Sequence, residues 1–342
     1  MATTAIKQNS LLNAIQRRAP LTRLLAWVTV VTIASVALAP LTFAAVTAEF
    51  HRTLTVTATE PVMLEVEIPN GELQILYGQD GQLSISGTAK ASADAKLDDN
   101  FFPAVLTIEQ KGNRFTIRHV PNPVYREEGI SVLYRIAVPY RTEVTSRLNQ
   151  GKQSISGIMG PVKASTGRGD IKALYVSKGL QAEVESGNLD LQVIGGHVEA
   201  KAGSGNISCT RIVQGVSTET GEGDITLMVV GPSTATVKEG TGRIDVGGAR
   251  GSLVGSTDGG DLHVRAIPHD DWRLHSASGS VRLDLPPVAM LELDASTNSG
   301  ELQVDRDDIA KTDLDPHHFH RKVNGGGKRI EVHTESGRIV IR

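Results

Sequence analysis

The chain has 342 residues, with 38 acidic and 35 basic side chains, 35 glycines, one cysteine and only 4% aromatic residues. It can bury a large core, but only from small and medium aliphatic side chains, which favours thin, regular layers. A lone cysteine excludes an intramolecular disulfide, and no run of Lys and Arg with interleaved aromatics follows residue 48, which excludes the basic face that nucleic acid requires.

Residues 1–48 hold Lys7, Arg17, Arg18 and Arg23 and no acid, so without them the formal charge moves from −3 to −7. Leu24 to Phe43 is apolar apart from small hydroxyl residues and is interrupted by Pro40. This pattern predicts a signal peptide, cut after Ala44 or Ala48, or an uncut N-terminal membrane anchor. Either form exports the remainder, because the positive charge precedes the apolar run and stays inside. Membrane contact is expected only through this segment, if it is uncut.

Residues 49–150 read as an irregular β cap. Thr53 to Thr57 and Met63 to Ile68 alternate between polar and apolar, and further strands are expected at Leu83–Ile85, Val105–Ile108, Phe115–Arg118 and Val132–Val138. Pro69-Asn70-Gly71-Glu72-Leu73-Gln74-Ile75 already resembles the turn that dominates the second half. Val138-Pro139-Tyr140-Arg141-Thr142 then enters that half without a flexible linker.

Over 151–342 a turn of the form Ser/Thr/Gly-x-Gly recurs, each time followed by alternating apolar positions. The anchor glycines are Gly151, Gly169, Gly187, Gly205, Gly223, Gly242, Gly260, Gly279, Gly300 and Gly337, separated by 18, 18, 18, 18, 19, 18, 19, 21 and 37 residues. The unit after Gly187 is typical: Asn188 to Val193 alternates, Gly195-Gly196 interrupts, and His197 to Ala202 alternates again. Each unit is thus two short strands and two turns, with one face buried and one wet. Such a unit cannot bury its apolar face alone, so copies must stack in register, as a β-solenoid of about 18 residues per coil. The predicted buried column is Ile171, Leu189, Ile207, Ile225, Ile244, Leu262, Val281, Leu302 and Ile339, with glycine at positive φ in each sharp turn. The long last interval predicts a loop insertion at 305–327, with strands around Ile330 and Ile339 closing the stack and the loop and Arg342 blunting its edge.

The turns Gly167-Arg168-Gly169-Asp170-Ile171, Gly203-Ser204-Gly205-Asn206-Ile207 and Gly221-Glu222-Gly223-Asp224-Ile225, with Val138-Pro139 leading into them, resemble a family of exported bacterial proteins, the putative adhesins, a domain of unknown function. The resemblance covers roughly residues 50 to 342. It implies an all-β, right-handed, single-stranded β-helix, and it implies no catalytic residues. Arg243, Ser280 and Arg338 depart from it, standing where an acid or amide usually follows the glycine.

Candidate binding residues follow from the repeat. Asp170, Asn188, Asn206, Asp224 and Asp261, with Glu301, put carboxylates and amides along one edge, where a row of oxygens suits Ca²⁺ or sugar hydroxyls. Asp and Asn also stabilise turns through their own hydrogen bonds, and calcium-binding repeats are shorter than these. His317, His318 and His320, with Asp313 and Asp315, are weak candidates for a divalent metal in the loop, lacking an evident second layer of support. Arg168-Gly169-Asp170 matches a tripeptide read by adhesion receptors, yet its glycine and Asp are demanded by the turn. Cys209 alternates with Ile207 and reads as packing.

β-Helices also carry polysaccharide-cleaving enzymes. The outward positions Glu183, Glu199, Lys201, Lys238, Arg273, Glu292 and Asp294 are mixed in sign and scattered, and a paired Asp258 and Asp261 needs a separation that sequence does not supply. The expectation is therefore an exported, non-enzymatic binding or structural module of the envelope or surface, needing no cofactor, whose partner is a glycan, envelope component or protein. The alternatives are a carbohydrate-active enzyme and a scaffold that self-assembles through its ends.

Overall fold

The computed structural model describes residues 46–57, 60–91, 95–306, 309 and 315–342. The expected leader lies outside them, except for its last three residues. Chain contacts divide the protein after Thr42, and everything described belongs to the second unit, Phe43–Arg342.

The strands before the regular repeats are β1 (Val46–Thr55), β2 (Val62–Tyr77), β3 (Gln82–Ala91), β4 (Leu106–Lys111), β5 (Arg114–His119), β6 (Ile130–Val138) and β7 (Thr142–Ile158), with one helical turn at Phe101–Val105. Regular coils then follow as strand pairs: β8 (Val162–Arg168) with β9 (Ile171–Val176), β10 (Leu180–Ser186) with β11 (Leu189–Ile194), β12 (Val198–Ser204) with β13 (Ile207–Ile212), and β14 (Val216–Glu222) with β15 (Ile225–Val230). The next are β16 (Ala235–Glu239) with β17 (Ile244–Gly247), β18 (Leu253–Thr257) with β19 (Leu262–Arg265), and β20 (Trp272–Ser276) with β21 (Val281–Asp284). The last are β22 (Leu291–Thr297), β23 (Leu302–Val304), β24 (His318–Val323), β25 (Lys328–Thr334) and β26 (Ile339–Ile341).

The protein is an all-β solenoid. The first strand of each coil joins one sheet, which runs β4-β5-β2-β7-β8-β10-β12-β14-β16-β18-β20-β25-β22-β24. The second strands form the other, β1-β3-β6-β2-β7-β9-β11-β13-β15-β17-β19-β21-β26-β23, with β2 and β7 bending through the corner to serve both. Pairing is parallel throughout the body and antiparallel only at the ends, in β1–β3, β3–β6, β4–β5 and β22–β24.

The aliphatic column forms, with one change of order. Ile171, Leu189, Ile207, Ile225, Ile244, Leu262 and Val281 are neighbours in sequence order, but Val281 is followed by Ile339, and Leu302 lies beyond it. The strands around Ile330 and Ile339 therefore do not close the stack. They are inserted between β20/β21 and β22/β23, and the end is made by β22, β23 and the antiparallel β24. Part of the expected loop at 305–327 is thus strand. Phe319 and Val323 of β24 point inward while His318, His320, Arg321 and Lys322 stay exposed, the charged pattern that protects a sheet edge. The N-terminal end repeats the arrangement: β2 pairs with β7 along nearly its whole length, and the β5/β6 coil lies outside it. Phe101, Phe102, Phe115 and Tyr134 fill that end of the core, all buried.

A bulge alters the second inward column. Tyr175, Val193 and Arg211 stand at φ 56°, 57° and 58°, one in each of three successive coils. The extra residue re-aims the strand, so Val176, Ile194 and Ile212 are buried in line, and not Val193 as strict alternation requires. The turn glycines also divide. Gly169 and its equivalents from Gly151 to Gly223 have positive φ, whereas Gly242 and the later ones do not, and are held to glycine by the neighbouring coil's backbone, which leaves no room for a Cβ.

At the opposite end of the same turn runs a buried polar column, Thr220, Glu239, Thr257, Ser276, Thr334 and Thr297. Its members tie down the glycine turns, as Thr257 does by accepting the Gly260 N–H at 2.9 Å. Glu239 accepts from the Thr257 hydroxyl at 2.8 Å and from the Gly242 N–H, and burial raises its carboxyl above the usual range. A raised folded pKa means stability that is complete below the ordinary value and is lost as pH rises through the folded one. Glu239→Gln should remove that loss, so urea unfolding at pH 5 and pH 8 should show the variant gaining on the parent as pH rises.

Candidate functional site

The turn residues form a row, and its chemistry is spent largely on the backbone. Asp170 Oδ1 accepts the Asn188 N–H at 2.9 Å, Asn188 Oδ1 the Asn206 N–H at 3.0 Å, and Asn206 Oδ1 the Asp224 N–H at 2.8 Å. Asp224 Oδ1 accepts from the Arg243 N–H at 2.9 Å, and Asp261 Oδ1 from the Ser280 N–H at 3.0 Å. Each oxygen thus staples one coil to the next, and the departures at Arg243 and Ser280 end the relay as acceptors while still donating their N–H. Cys209 is buried between Leu191 and Leu227, and burial pushes its thiol up to about 12, well away from a nucleophile's range.

The loop histidines separate. His317 precedes β24, while His318 and His320 lie on its exposed side against β22, with His318 Nε2 3.2 Å from Asp294 Oδ1 and His320 Nε2 3.3 Å from Glu292 Oε1. Asp313 lies outside the described residues. Among the described residues no group of three or more His, Cys, Asp or Glu is placed to hold a metal ion.

Insertion of β25 assembles what the sequence scatters. In register across the first sheet, Val254 of β18 aligns with Arg273 of β20, Glu331 of β25, Asp294 of β22 and His320 of β24; the next outward row is Ser256, His275, His333, Ser296 and His318. A groove of about 390 Å³ runs over these strands, lined among others by Val254, Arg273, His275, Asp294, Ser296 and His333. Glu331 bridges Arg273 Nε at 3.1 Å and Arg329 Nε at 2.9 Å, and Arg329 continues to Asp294 Oδ2 at 3.1 Å. The imidazoles of His275 and His333 stack with centroids 5.6 Å apart and planes 11° apart. Ser296 Oγ lies 3.0 Å from His333 Nδ1.

Sequence reasoning named Arg273, Glu292 and Asp294 as outward positions, but not the groove. Its other wall comes from Glu331, Val332 and His333, which the stacking order brings between them. The groove holds two carboxylates and one arginine, yet both Asp294 and Glu331 are ion-paired at an open surface, not in the apolar pocket that keeps a glycosidase's acid protonated. Among the described residues no carboxylate orients the second nitrogen of His333, so Ser296 and His333 fall short of a nucleophile triad.

Solved structures similar to this chain include a putative cell adhesion protein from Clostridium sporogenes (10% identity, 86% of this chain and 98% of that one, TM-score 0.20), a putative adhesin from Bacteroides fragilis (12%, 86% and 97%, 0.32) and a putative adhesin from Parabacteroides distasonis (11%, 86% and 97%, 0.33). None of the curated proteins matches. The family model described as Toastrack DUF4097 matches residues 63–342, which hold β2 from its second residue and every strand from β3 to β26, and the chain belongs to that family.

Proposed function

We propose that the chain is an exported, non-enzymatic binding module of the cell envelope or surface, which meets its ligand on the outer face of the solenoid near its C-terminal end. The observation that carries this reading is the groove over β18, β20, β25 and β22, where ion-paired and hydrogen-bonded side chains are fixed on paired strands at an open surface. Pre-ordered polar groups on a rigid sheet suit recognition, while catalysis asks for a proton-holding or activated group, which this arrangement does not favour. The basic, apolar leader supports export.

Fractionation of cells producing the full chain tests the reading. The protein is expected outside the cytoplasmic membrane, and purified protein is expected to sediment with isolated envelopes. A protein confined to the cytoplasm, or one that hydrolyses envelope polysaccharide, overturns it.

A further inference from the structure

We propose that the groove is a saccharide site, taking an uncharged, hydroxyl-rich glycan laid across β18, β20, β25 and β22. This names the ligand of the binding module proposed above and rests on that reading.

Charge comes first. The outward side chains of this patch comprise three cations, Arg273, Arg329 and Lys322, and four carboxylates, Asp271, Glu292, Asp294 and Glu331, most of them engaged with one another. So nearly balanced a surface gives no long-range pull on a polyanion or a polycation. It does offer closely spaced donors and acceptors, held in place before any ligand arrives. A sugar hydroxyl both donates and accepts, and is the group that such an alternating lattice matches.

The second argument separates a glycan from a peptide. Peptides are commonly captured by adding a strand to a sheet edge, but here every strand beneath the groove is paired on both sides, so the backbone is already committed. Only side chains are left to read a ligand. Among them, the stacked His275 and His333 rings and Val254, 39% exposed, supply the flat and apolar contacts that suit the C–H face of a pyranose. The volume, about 390 Å³, is that of a small-ligand site, not of a protein interface.

The test is binding of the purified full chain to an array of neutral oligosaccharides of glucose, galactose, mannose and N-acetylhexosamines, with heparin and an extended basic peptide as charged probes. At least one neutral oligosaccharide is expected to bind, and Arg273→Ala and His333→Ala should each weaken it about tenfold or more. Lys201→Ala, on the same outer face but in the regular coils, should leave it unchanged. Thermal melting shows whether each variant is folded, and Arg273, being exposed, keeps the test open should His333→Ala melt early. Binding of heparin or the peptide alone, or sugar binding untouched by both groove variants, overturns the proposal. If the chain sediments with envelopes but binds no neutral sugar, the glycan assignment falls while the binding module stands.

Discussion

Removing residues 328–342 should unfold the solenoid from about β20 onward, not trim one coil from its end. The excised strands carry Ile330, Val332, Ile339 and Ile341, all at most 2% exposed. Burial of such side chains contributes about 1.5–3 kcal/mol each, so the four together reach about 6–12 kcal/mol, comparable with the whole stability of a domain. The loss also leaves β20/β21 and β22/β23 without their shared partner. Because a solenoid is stabilised coil by coil, β7 through β17 should survive. Hydrogen exchange should show protection retained there and lost from about β20 onward, and a synthetic peptide of residues 328–342 added in trans should restore it. Protection that persists through β22 in the truncated chain would contradict the insertion.

Gly169→Ala is the second large effect, expected to cost upwards of about 3 kcal/mol in denaturant unfolding. Gly169 has φ 134°, outside the range that alanine accepts without strain, and an added Cβ would be driven into the carbonyl oxygen of Gly151 in the preceding coil. That neighbour is backbone held in the parallel ladder, so nothing yields cheaply. Gly112→Ala is the control: it too has positive φ, but a Cβ there meets nothing within 4 Å, so its cost is that of backbone conformation alone. A Gly169 variant no worse than the Gly112 variant would mean that the coils are more loosely stacked than described.

The repeat was readable because its physics is local and periodic. An in-register parallel stack forces equal spacing, a turn that admits only glycine, and aliphatic residues two apart, so the column from Ile171 to Val281 could be written down from spacing alone. The turn at Asn70-Gly71-Glu72-Leu73 was readable for the same reason. In the fold it lies beside Gln150-Gly151-Lys152-Gln153 despite the 80 residues between them, which makes β2 a true coil strand where an irregular cap was expected. Order along the axis was not readable. Alternation states which side chains face inward, but is silent on which strand lies beside which, and β25 alternates just as β22 does. The 37-residue interval before Gly337 was the one mark of the insertion. Val193 misled because strict alternation does not anticipate a bulge; the visible sign was Ile194, Val176 and Ile212 recurring every 18 residues. The groove stayed hidden because Asp294 reaches Arg273 only through Glu331 of the inserted strand.

Tucking the chain's last coil beneath another bears on how the molecule would carry tension. A pull on Arg342 does not peel a free edge one bond at a time. It must draw β26 out from between β21 and β23, and then β25 out from between β20 and β22, shearing two ladders at once in each sheet. A ribbon of stacked coils, fragile if it began to ravel at its tip, is thereby given a tip that resists ravelling.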